Sequence, residues 1–220
     1  MSAFPGSPKL ARGGIVLLDP SSGNVRRIIA LQYNPDTLSR TLQVQGVGGD
    51  GGGDRSEALR LKGPAVETIK LEAEIDAADQ LEFPDQNPNV VQFGIQPLLA
   101  AIETLLYPAA AELVAHDELA AAGTIEIAPA ETSLTLFVWG RQRVLPVRIT
   151  ECSITEEAFD PSLNPIRAKV SLGLRVLSVD DLGFSHKGGA LFLGYLKNKE
   201  QLSAKLAGGT PGQLGLGAIP

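Results

Sequence analysis

The stretch that decides the fold is Leu31-Gln32-Tyr33-Asn34-Pro35-Asp36-Thr37-Leu38, in which an apolar strand runs into an aromatic-Asn-Pro turn. Proline has no backbone N–H for a strand ladder, and it biases the residue before it towards extended or turn geometry. The pattern therefore ends a strand at Asn34-Pro35. Before this corner, residues 14–18 and 25–33 flank a turn and predict a hairpin, and a third strand at 39–45 leaves the corner.

Later segments add four strands. Residues 68–75 alternate apolar and polar side chains, which predicts a half-buried strand. Further strands are predicted at 133–139, 143–155 and 167–178. The apolar phase of the middle one shifts after Ile149, which predicts a bulge near Thr150-Glu151, because one inserted residue reverses the faces of all that follow. Two apolar sets are expected to face the core: Ile69, Leu71, Ala73 and Ile75, and Val170, Leu172, Leu174 and Val176.

Helical patterns flank these strands, so we expect a mainly β protein with flanking helices (α+β) and an antiparallel sheet. Residues 1–9 are expected to be flexible, and residues 10–180 to form one domain with an inserted helix at about 96–107. A C-terminal helix over 181–206 and a glycine-rich flexible tail over 207–220 complete the chain. The alanine-rich residues 109–122 fit a weak helix or a loop.

The charge is acidic overall and unevenly spread. The 220 residues carry a formal charge of −6, which argues against a protein that wraps nucleic acid. Residues 50–131 hold 16 acidic and 4 basic side chains. This segregation fits subunits that meet acidic face to basic face, and it equally fits a solvated acidic surface.

Signals for export and membrane insertion are missing. No secretory signal opens the chain, and its apolar stretches fall short of the roughly 20 residues that cross a bilayer. Cys152 is the single cysteine, which excludes an intramolecular disulfide. We therefore expect cytoplasmic synthesis and assembly, with no direct membrane insertion.

Residues for catalysis or metal binding do not cluster in the sequence. His116 and His186 lie far from any nucleophile, and Cys152 sits inside a predicted strand beside Glu151, where a thiolate is disfavoured. The glycine-rich loop 46–54 lacks the lysine of a phosphate-binding loop and the alternating ligands of a calcium loop. We expect neither an enzyme nor a bound cofactor or metal.

Two further motifs follow the first in a fixed order. An apolar strand ends in Trp139-Gly140, and a phenylalanine, a turn and Pro-x-Arg-Ala lead into the last strand. The residues that carry the three motifs are Tyr33, Asn34, Pro35, Leu38, Trp139, Gly140, Phe159, Pro165, Arg167 and Ala168.

With this succession, residues 10–179 resemble the tube-domain family of contractile injection systems, which are phage-tail-like particles. The resemblance implies a tube-type β-barrel or sandwich and a homohexameric ring. It further implies an adaptor that joins the inner tube to the baseplate and spike hub of a particle that is cytoplasmic, membrane-docked or released. Related chains often continue into a LysM-type repeat, which is not found after the lysine-rich helix here. Cell-wall anchoring is therefore unsupported.

Two alternatives stay open. The chain fits a main inner-tube subunit as well as an adaptor, although its C-terminal helix and tail favour an asymmetric junction. An unrelated small-molecule-binding β-barrel shares the predicted strand count, with the apolar strand faces enclosing a ligand.

Overall fold

A computed structural model describes residues 10–19, 22–46, 60–121, 123, 132–215 and 217. The expected flexible residues 1–9 and most of the glycine-rich loop 46–54 lie outside these residues. The strands are β1 (Gly14–Leu18), β2 (Val25–Ala30), β3 (Leu38–Gln43), β4 (Val66–Asp76), β5 (Leu134–Val138), β6 (Val144–Phe159) and β7 (Pro165–Val176). The helices are α1 (Ala78–Leu81), α2 (Pro88–Phe93), α3 (Gln96–Glu103), α4 (Ala110–Ala121), α5 (Val179–Leu182) and α6 (Lys187–Ser203).

The strands form one antiparallel sheet in the order β2-β1-β5-β6-β7-β4-β3, so the chain is mainly β with flanking helices, as the sequence predicts. The long β6 links the two halves, because its first residues pair with β5 and the rest with β7. Its register shifts between Ile149 and Glu151. The predicted bulge is confirmed.

Both halves of the sheet pack on one core. The alternating apolar faces predicted for β4 and β7 are buried, with Ile69 at 1% and Leu174 at 0% exposure. Ile15 and Phe137 from the other half join the same cluster, and α3 and α6 cover it with Leu99 and Phe192. The sheet therefore curls around a single apolar centre.

Several element ends differ from the sequence patterns. β2 ends at Ala30 rather than Tyr33. The Leu31 N–H still donates to the Gly13 carbonyl, but beyond Leu31 side chains make the hydrogen bonds that backbone groups make in a strand. Helix α3 ends at Glu103, and α4 forms over the alanine-rich segment with no buried residue. The tail contains a short 3-10 helix at Pro211–Leu214.

Gly94 shows how tightly α3 is joined to the sheet. The Gly94 φ is +58°, and a Cβ there would collide with the Pro165 carbonyl oxygen, which accepts a hydrogen bond from the Ile95 N–H. Glycine is thus required for two separate reasons, its backbone conformation and its lack of a side chain. The contact fixes the start of α3 against the start of β7.

Gly94→Ala is expected to lower the free energy of unfolding by at least about 2 kcal/mol, because strain and collision add. Gly194→Ala is the matched control: Gly194 lies inside α6 with no atom within 4 Å of a Cβ. It should raise the stability by roughly 0.5–1 kcal/mol through helix propensity. Urea denaturation of both variants checks this, and equal effects would contradict the packing described here.

Candidate functional site

The corner after β2 is held by two side-chain amides. The Gln32 Nε2 donates to the Asp76 carbonyl (2.6 Å), and the Asp76 N–H donates to the Gln32 Oε1 (3.0 Å). An amide side chain thereby makes the two bonds that a neighbouring strand residue would make with the end of β4. Asn34 does the same two residues later: Gly13 N–H donates to its Oδ1, and its Nδ2 donates to the Ala11 carbonyl.

Asp76 joins this corner to the third motif. Its carboxylate accepts from the Arg167 guanidinium at 2.7 Å and from the Ala78 N–H at 2.8 Å. Partial burial acts to raise the Asp76 pKa, but these hydrogen bonds and the arginine charge outweigh it and hold the pKa below its ordinary value. Asp76 therefore stays ionised, and it links the ends of β2, β4 and β7.

The second motif reaches the same region through Gly13. The Trp139 ring lies where a Gly13 Cβ would be, and it stacks on Phe137 with ring centroids 5.9 Å apart. Gly140 has a φ of +74°, and the Trp139 N–H donates to the Arg143 carbonyl, so Gly140 forms the turn of the β5–β6 hairpin. Three motifs distant in sequence thus meet at one junction, the first and third through hydrogen bonds and the second through the packing of Trp139 against Gly13.

Of the remaining motif residues, some are buried in the fold and others are exposed on its surface. Leu38 packs against the core and Ala168 is fully buried, while Pro35 is partly buried. Pro165 is buried at the start of β7, whereas Tyr33 and Phe159 stay exposed. The Tyr33 hydroxyl accepts a long hydrogen bond from Gln32.

A buried carboxylate, Glu67, is not among the site residues that the sequence predicts. The Glu67 side chain is 3% exposed and accepts hydrogen bonds from Arg40 (2.7 Å), Lys199 (3.0 Å) and the Tyr195 hydroxyl (3.2 Å). Lys199 also lies 4.1 Å from the centroid of the Tyr195 ring. Glu67 is in phase with the apolar face of β4, and that phase was the available signal. The cluster fastens α6 to β3 and β4.

The partners of Glu67 keep its carboxylate ionised. Burial acts to raise the Glu67 pKa, but hydrogen bonds from Arg40 and Lys199 and their charges lower it below its ordinary value of 4.5. A carboxyl whose pKa is depressed on folding stabilises the folded state above its unfolded pKa, and this stabilisation is lost as the pH falls through the folded pKa. The cluster therefore holds best at neutral pH.

Groups for nucleophilic catalysis or metal binding do not cluster among the described residues. Burial raises the Cys152 pKa, with a further contribution from the Glu103 charge, so the thiol stays protonated. Across the described ranges, no three His, Cys, Asp or Glu side chains cluster as a metal site. Among these residues no helix is long and apolar enough to cross a membrane.

Comparisons with known proteins yield little. No protein-family model matches the chain, and no curated protein matches it. Among solved structures, the chain is similar to one described as the tail of an empty GTA particle, computed with helical refinement and C6 symmetry. The identity is 11%, the match covers 74% of this chain and 90% of that chain, and the TM-score is 0.29. A score this low transfers neither fold nor function.

Gln32→Glu is expected to destabilise the fold by about 1–3 kcal/mol, since a carboxylate cannot donate to the Asp76 carbonyl and is repelled by it. Gln43→Glu, an exposed change on β3, should stay within about 0.5 kcal/mol. Thermal unfolding of both variants tests this expectation. An equally small effect of the two substitutions would show that the hydrogen bonds of the Gln32 amide do not stabilise the fold.

Glu67→Gln should cost about 2 kcal/mol or more at pH 7, because it removes the charge that Arg40 and Lys199 surround. For the wild type, the free energy of unfolding should decline as the pH falls from about 5 towards and through the depressed pKa of Glu67. The variant should lose less over this window, while Glu72→Gln on the exposed face keeps the wild-type profile. Parallel profiles for Glu67→Gln and wild type would refute the assignment.

Proposed function

We propose that this protein is a structural component of a contractile injection system, a ring-forming adaptor that joins the inner tube to the baseplate and spike hub. Its activity is assembly rather than catalysis, and it is made and assembled in the cytoplasm before joining the particle. The order of the three motifs supports the family assignment. Their convergence on one junction gives these residues a shared structural role.

The observation that carries the proposal is the pair of open strand edges. In the described sheet, β2 and β3 stand at the two ends of the strand order, each paired on one side. Exposed strand edges template pairing with another chain, and monomeric proteins normally guard them. Here β2 carries the exposed Arg26 and Arg27, but both edge strands also carry exposed apolar side chains. Val25 and Ile28 on β2 are 58% and 65% exposed, and Leu42 on β3 is 50% exposed.

Two neighbouring copies, one on each side, would cover both edges of a subunit. If the β2 edge of one subunit pairs with the β3 edge of the next, the sheet continues from copy to copy and covers these apolar side chains. Such a contact joins two different surfaces, so it repeats head to tail and closes into a ring when the rotation per subunit divides the circle. The acidic and basic segregation of the chain suits contacts of this head-to-tail kind.

The first test is the assembly state. Native mass spectrometry and negative-stain microscopy should show six-fold rings, alone or together with tube and spike proteins of the particle. One ring between different partners supports the adaptor, whereas long stacks of this chain alone indicate a main tube subunit. A stable monomer, even with those partners present, would contradict both.

Ile28→Lys tests the β2 edge itself, because Ile28 is exposed and lies opposite Val16. A lysine at an exposed edge position opposes strand pairing, so the assembled fraction should drop at least about tenfold, while the unfolding free energy changes by about 0.5 kcal/mol or less. Leu119→Lys places a lysine on helix α4, outside both edge strands, and should assemble normally. Equal assembly of the two variants counts against edge pairing.

A further inference from the structure

No further inference is drawn: the strongest candidate, the groove between the end of α3 and the start of α6 that Arg26, Arg27 and Lys187 line, is a surface of mixed charge, and nothing in the structure shows what covers it.

Discussion

The paired hydrogen bonds between the Gln32 amide and the Asp76 backbone are the interaction on which the rest of the structure depends. They act where the chain leaves the β1 side of the sheet and enters the β3 side, a place where regular strand pairing fails. A side chain with one donor and one acceptor replaces the missing strand residue. Asp76 then connects this corner to Arg167 at the start of β7. The first and third motifs are thereby one physical unit, and Asn34 ties the second motif in through Gly13.

The parts of the fold that the sequence predicts are those governed by local periodicity. The buried faces of β4 and β7 follow from alternation, and the bulge at Thr150-Glu151 follows from a change of phase within one strand. Element ends were less predictable, because they depend on distant partners. β2 stops at Ala30 because the side chains after it replace backbone pairing. Helix α4 forms although none of its residues is buried, so its alanine-rich composition alone accounts for the helix.

The candidate site likewise combines features that local sequence patterns predict with features that depend on distant partners. The three motifs were recognisable as turns and strand ends, but their meeting point was not, since Asp76, Gly13 and Gly94 carry no signal of their own. Gly94 is needed because of a carbonyl that lies far along the chain. Glu67 was readable in principle, because a charged residue in phase with an apolar face must find partners there. Those partners, Arg40 and Lys199, come from separate elements, and no local pattern identifies them.

The proposed ring assembly would place a demand on this architecture beyond stability. A head-to-tail contact closes only if its two surfaces keep a constant angle, and small errors accumulate around the ring. The Asp76 junction fixes the corner after β2 to the end of β4 and the start of β7, and the Glu67 cluster fixes α6 to β3 and β4. Both use charged hydrogen bonds, which are more directional than apolar packing. The apolar core supplies the cohesion of the domain, while these two polar clusters determine the angle between the surfaces that would meet a neighbour.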